Sequence, residues 1–137
     1  MSAKLFRVIL PVEDIEKATE FYAAVVGIPG VRVSGGRHYF DCGGTILACF
    51  DPRADGDDYA PQPNPEWLYF AVDDITATHA TCVKAGARMA AGDVHGDPAG
   101  EVHTRPWGEK SFYTEDPFGN KLCFVDQATV FTGIDER

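Results

Sequence analysis

The chain has 137 residues, 45% of them hydrophobic and 24% charged, with a formal net charge of −9. This is one compact domain with a single sizeable core, in the composition range of an ordinary soluble globular protein. No stretch approaches the ~20 apolar residues that span a bilayer, and the acidic balance is the wrong sign for nucleic acid, which needs cations to replace its counterions.

In chain order, residues 5–12 are almost continuously apolar and are read as a strand. Asp14 can cap the helix that follows by accepting bonds from its first free N–H groups. Ile15, Ala18, Phe21, Tyr22, Val25 and Val26 then recur at helical spacing. Gly27 ends that helix, and Pro29-Gly30 confirms the break. Val31–Ser34, Arg37–Cys42 and Thr45–Phe50 read as short antiparallel strands, with Gly35-Gly36 and Gly43-Gly44 as the turns between them. Residues 51–66 carry Pro52, Pro61, Pro63, Pro65 and several aspartates, and are read as connecting chain. A second strand at 67–72 leads to the cap Asp74 and a helix whose inward stripe is Ile75, Thr78, His79, Cys82 and Val83, ended by Gly86. Strands are expected at 87–90, 109–114 and 121–125. Residues 91–108 are glycine-rich and irregular, with one short strand expected near 101–104.

The chain states this pattern twice. Leu10-Pro11-Val12-Glu13-Asp14-Ile15 returns as Phe70-Ala71-Val72-Asp73-Asp74-Ile75, each followed by a helical stretch and a glycine. The expected fold is α+β: two βαβββ modules at about 5–52 and 66–126, joined by a linker at about 53–65, within a single domain over 1–137. Half-units that cannot close a core alone pack on each other, giving paired mixed sheets around a cleft with the helices outside. The cleft is the natural place for a ligand.

Three segments carry a family resemblance: Val12-Glu13-Asp14-Ile15 through Phe21-Tyr22, then Phe70-Ala71-Val72-Asp73-Asp74, then Pro106-Trp107-Gly108 with Phe112-Tyr113 and Asp116-Pro117-Phe118-Gly119-Asn120. Together they resemble the vicinal oxygen chelate superfamily, which includes glyoxalase I, extradiol dioxygenases, fosfomycin resistance enzymes and bleomycin resistance proteins. The resemblance implies four metal-ligand positions, on the opening and closing strand of each module. In this chain they fall on Arg7, Ala48, Trp67 and Cys123. Arginine has no lone pair to give, alanine and tryptophan offer no ligand, and one thiol leaves three positions empty. The resemblance therefore points to a metal-free member of the bleomycin resistance type, with no cofactor. It also implies a homodimer.

Arg7, Trp67, Tyr69, Trp107 and Cys123 are the candidate ligand-binding residues. Aromatic walls with one or two charges suit flat organic molecules. Arg7, on an otherwise apolar strand, could meet a ligand anion, or pair internally with Asp41 or Glu109. Glu66, one residue before Trp67, alternates to the other face. His79 reads as a core histidine, and His38 as an edge-strand residue. His95, Glu101 and His103 lie close together in the irregular segment and are an example of donors for a non-standard metal site, beside the reading as a solvated loop. Cys42, Cys49, Cys82 and Cys123 have no metal-type spacing and read as reduced thiols.

The expectation is a cytoplasmic, metal-independent protein that holds an aromatic or cationic small molecule, by sequestration as in antibiotic resistance. It has no nucleic-acid or membrane partner. The alternative is a glyoxalase-like lyase, isomerase or dioxygenase, either with a divalent metal at a non-standard site, for example His95, Glu101 and His103, or with metal-free acid–base work. A third possibility is a regulatory subunit whose cleft is vestigial.

Overall fold

The computed structural model describes residues 1–133. Eleven strands and two α-helices follow in the order β1 (Arg7–Pro11), α1 (Ile15–Val26), β2 (Val31–Ser34), β3 (Arg37–Cys42), β4 (Thr45–Phe50), β5 (Leu68–Val72), α2 (Ile75–Lys84), β6 (Arg88–Met89), β7 (Asp93–Val94), β8 (Asp97–Pro98), β9 (His103–Thr104), β10 (Lys110–Glu115) and β11 (Lys121–Asp126). This is the α+β fold expected, with the repeat intact and the boundaries shifted by one or two residues. No helix among the described residues is long and apolar enough to cross a membrane.

Contacts divide the chain into two compact units. The first holds Met1–Pro65 and the turn Pro117–Asn120; the second holds Glu66–Asp116 and the described residues from Lys121.

In the first unit the sheet runs β1-β4-β3-β2, with β1 parallel to β4 and the rest antiparallel. Asp14 caps α1 by accepting from Lys17 N at 3.1 Å, and Gly27 closes it at φ 86°, where only glycine is unstrained. A cap of this kind contributes about 1 kcal/mol. Ile15, Ala18, Phe21, Tyr22 and Val25 are buried, and α1 lies on β3 and β4 over Leu10, Phe40, Leu47 and Cys49. His38 is buried on this inner, helix-covered side beside Phe40, on a strand paired on both edges, rather than at an edge. The outer edge of β1 is closed by two amides: Asn64 Nδ2 donates to Ile9 O at 3.2 Å and Asn120 Nδ2 to Pro11 O at 2.7 Å. Asp51 is no linker charge. Its carboxylate accepts from Ile15 N at the start of α1 and from Ala54 N.

In the second unit the sheet runs β5-β11-β10-β6, with β5 parallel to β11 and β9 pairing β10. Asp74 caps α2 through Ala77 N at 3.0 Å, and Gly86 follows the helix at φ 96°. Ile75 and Cys82 are buried, but Val83 is exposed, so the expected inward stripe is narrower. The side facing α2 carries a ladder of rings: Phe70 stacks on Phe124 at 5.2 Å and Phe124 on Phe112 at 5.3 Å. His79 is the core histidine expected, meeting Phe112 edge-on at 4.7 Å and hydrogen-bonded to Gly100 O at 2.9 Å.

Candidate ligand-binding site

On the side of the second sheet away from α2, strand register sets Tyr69 of β5 beside Cys123 of β11, and Cys123 beside Tyr113 of β10. This side is partly covered by its own chain. The segment expected to be irregular forms a small hairpin, β7 and β8, turned by His95-Gly96 with φ 49° and 90°. Ala99, Tyr113, Cys123 and Val125 form a buried cluster, with Trp67, Ala90 and Val94 packed against it.

Arg105 holds that cover in place. It is 2% exposed, and its guanidinium donates to Ser111 Oγ at 3.1 Å and to the carbonyls of Ser111, Glu101, Ala99 and Pro98 at 2.9, 3.0, 3.2 and 3.4 Å. It also lies 5.4 Å from the Tyr113 ring centre. Among the described residues no carboxylate pairs with it, so carbonyl and hydroxyl dipoles and the Tyr113 ring face offset its charge.

Beside this cluster a cavity of about 390 Å³ opens, lined by Tyr69, Phe70, Ala71, Trp107, Glu109, Val125, Val130 and Phe131. Its volume is in the range of small-molecule sites. Among the described residues, Glu109 is the one charged side chain lining it. The Trp107 indole N–H donates to Glu109 Oε1 at 2.8 Å and the Phe131 backbone N–H to Oε2 at 2.8 Å. Both donors are neutral, so they fix the carboxylate without cancelling its charge. The same two bonds hold the Trp107 loop and the C-terminal segment against one wall. The His95 ring lies edge-on to Trp107 at 6.1 Å.

Of the residues singled out in the sequence, Tyr69 and Trp107 line this cavity. Trp67 stands edge-on to Tyr113 at 5.0 Å, with the Lys121 ammonium 5.5 Å from its centre. Cys123 is fully buried in the cluster, and burial pushes its thiol up to about 12. Arg7 belongs to the first unit and is exposed, with its guanidinium 4.8 Å from the Phe6 ring and 5.8 Å from Tyr39. The ion pair with Asp41 or Glu109 is not formed: Asp41 accepts from Gly44 N and Glu109 is engaged as above. An exposed guanidinium keeps its water and needs no internal partner. The sequence reading did not place Glu109, Val130 or Phe131 in the site. The apolar pair Val130-Phe131 beyond the last strand was the available signal.

The residues at the four metal positions do not fit a divalent ion. Arg7 is cationic, Ala48 and Trp67 carry no donor, and the Cys123 thiol is held protonated. His95, Glu101 and His103 are not assembled either. Glu101 Oε1 is 3.6 Å from His103 Nε2, while His95 sits against Trp107. Among the described residues no three His, Cys, Asp or Glu side chains converge on a metal-sized space. The four cysteines are free thiols.

A family model for the Glyoxalase/Bleomycin resistance protein/Dioxygenase superfamily matches residues 4–124. No curated protein matches. Among solved structures, the chain is similar to a glyoxalase/bleomycin resistance protein from Albidiferax ferrireducens T118, with 22% identity and a TM-score of 0.71 over 88% of this chain and 95% of that one. It is similar to a glyoxalase-related enzyme from Fulvimarina pelagi, with 19% identity and a TM-score of 0.72 over 96% and 94%. It is also similar to a lactoylglutathione lyase from Agrobacterium tumefaciens, with 22% identity and a TM-score of 0.64 over 95% and 98%. At these identities the structural likeness shows the fold alone.

Proposed function

The chain belongs to the glyoxalase/bleomycin resistance protein/dioxygenase superfamily, and from that premise we propose that it is a metal-independent binding protein that holds an aromatic or cationic organic molecule in the cavity of its second unit. The observation that supports this reading is the cavity wall itself. Tyr69, Trp107, Val125 and Phe131 offer flat apolar surface, and Glu109 offers one carboxylate whose partners are all neutral. A planar cation would bury its rings against the first set and meet the second with its charge. The net charge of −9 concentrates cations near the protein at low salt.

The test is titration with proflavine, a planar aromatic cation, followed by tryptophan quenching. Saturable quenching is expected, with the probe recovered unchanged and binding about tenfold weaker in Glu109→Gln, the loss of about 1.4 kcal/mol from a charge-assisted contact. Absence of saturation, or equal affinity in the variant, would remove the reading.

The runner-up is an enzyme of the same superfamily. Its support is the pair Glu101–His103, in which His103 Nε2 is buried without a hydrogen-bond partner. Turnover of a glyoxalase-type substrate that disappears in His103→Ala would bring it forward.

A further inference from the structure

Four large apolar side chains left exposed by the second unit gather at its cavity. Tyr69 is 59% exposed, Trp107 40%, Val130 43% and Phe131 49%, and all four line it. Single exposed hydrophobics need no explanation, but a cluster around one concavity marks a place that something covers. They come from three segments, each tied down. Tyr69 lies on β5, paired along its length with β11. The Trp107 loop is closed by Gly108 N donating to Arg105 O at 2.8 Å and Arg105 N to Glu109 O at 2.7 Å. The C-terminal segment is held by Lys110 N donating to Thr129 Oγ1 at 3.0 Å and Phe131 N to Glu109 Oε2 at 2.8 Å. The three rings are therefore in place before a ligand arrives, which lowers the ordering cost of binding.

These walls offer a cation charge and rings, but little hydrogen bonding. Among the described lining residues, only Tyr69, Trp107 and Glu109 have polar side-chain atoms. The Trp107 indole accepts nothing, and its N–H is already given to Glu109 Oε1. Both Glu109 oxygens already accept an N–H at 2.8 Å. A primary ammonium carries three N–H groups that water satisfies before binding, and each one left unmatched in the cavity is a penalty. A quaternary ammonium has no N–H to leave unmatched. Its charge is spread over methyl groups, which aromatic rings attract, and the fixed Glu109 carboxylate acts on it at close range without giving up either of its own bonds.

We propose that the cavity takes a quaternary ammonium group in preference to a cation that carries N–H groups, with Tyr69, Trp107 and Phe131 as its aromatic walls and Glu109 as its counter-charge. This rests on the cavity reading above and deepens it, by naming the class of cation. Tyr69, Phe131 and Trp107 are then specificity-determining residues that touch the ligand, and Glu109 both holds two of the walls and supplies the charge.

Three probes on one benzyl skeleton separate the claims: benzyltrimethylammonium, which is quaternary; benzylammonium, a cation with three N–H groups; and neopentylbenzene, the neutral isostere of the first. Binding of each is measured by equilibrium dialysis at neutral pH. The two cations carry the same charge, so the general pull of the acidic surface cancels in their ratio. The native chain is expected to bind benzyltrimethylammonium about tenfold more tightly than either of the others, the size of a cation–ring contact shielded from water. Tyr69→Leu and Phe131→Leu keep apolar volume at exposed positions and remove a ring each. Each is expected to cut the quaternary preference to about threefold or less while neopentylbenzene still binds, a result that mere loosening of the site would not give. Equal binding of the two cations, or tighter binding of benzylammonium, overturns the proposal and leaves the cavity reading standing. A quaternary preference that survives in both ring variants also overturns it, as does neopentylbenzene binding as tightly as its charged isostere. Binding of none of the three overturns the cavity reading itself.

Discussion

Ile9, Ala48 and Tyr39 lie side by side across the first sheet, and Tyr69, Cys123 and Tyr113 take the corresponding places across the second. The scaffold is the same in both: an opening strand parallel to a closing strand, with a third antiparallel to it, and an aspartate-capped helix on the far side. The filling differs. The first row carries a single polar group, the Tyr39 hydroxyl, with an alanine at its centre; the second carries two tyrosine hydroxyls with a thiol between them. The first unit leaves Ile9 at 41% exposure, whereas the second folds residues 91–108 and its C-terminal segment against the equivalent side and encloses a cavity. The repeat supplies two equivalent platforms, and added chain turns one of them into a site. What the added chain needs is an anchor, and buried Arg105 is that anchor.

The largest expected contrast lies in the helix-covered rows. Phe124 is 1% exposed at the centre of the ring ladder, and its counterpart in the first sheet is Cys49, between Leu10 and His38. Phe124→Ala removes a fully packed ring and is expected to destabilise by about 3–5 kcal/mol. Cys49→Ala removes one small group and is expected to change stability by about 1 kcal/mol. Urea midpoints of the two variants measure the difference. Similar losses would mean that the two rows carry equal weight, and the contrast drawn here would fail.

A smaller effect is expected at Asn120, which is fully buried. Its side chain accepts from Asn64 N at 2.8 Å and donates to Pro11 O at 2.7 Å. Asn120→Ala leaves both backbone groups without that partner and is expected to destabilise by about 2–3 kcal/mol. In hydrogen exchange, added loss of protection should centre on the first unit, to which this turn belongs by its contacts.

The repeat, both helix caps, the glycine stops and most strands were legible in the sequence because they depend on neighbours within a few residues. Asp14, Asp74 and Gly27 do what local chemistry requires of them wherever the helix then packs. Tyr69 and Trp107 were legible as aromatics on a strand and in a Pro-Trp-Gly loop. Arg105 was not, because nothing nearby in the chain shows that Pro98, Ala99, Glu101 and Ser111 turn their carbonyls toward one point. Glu109 was missed as a site residue for the same reason: its partners are two residues before it and twenty-two after it. Arg7 was over-read, since an unexpected charge on an apolar strand suggested a buried partner, and the side chain is exposed instead.

The smallest effect tests whether the first unit relies on ionised groups where the second relies on neutral donors. Asp55 accepts from Ser34 Oγ at 2.6 Å, from Gly36 N at 2.8 Å and from Arg37 Nε at 3.1 Å. These contacts, Ser34 first, hold its carboxyl below the usual carboxylate value. A carboxyl lowered in the folded state stabilises the fold above its unfolded value, about 3.9, and loses that contribution as pH falls through the folded value. Asp55→Asn is therefore expected to melt below the native chain at pH 7, with the gap narrowing as pH drops below about 4. Arg37 is partly exposed, so added salt should shrink the part of the gap that comes from the ion pair. Melting curves by circular dichroism between neutral and acid pH decide the matter. A gap that stays constant to the acid end would assign Asp55 a neutral hydrogen-bonding role, and the electrostatic side of the comparison between the two units would fall.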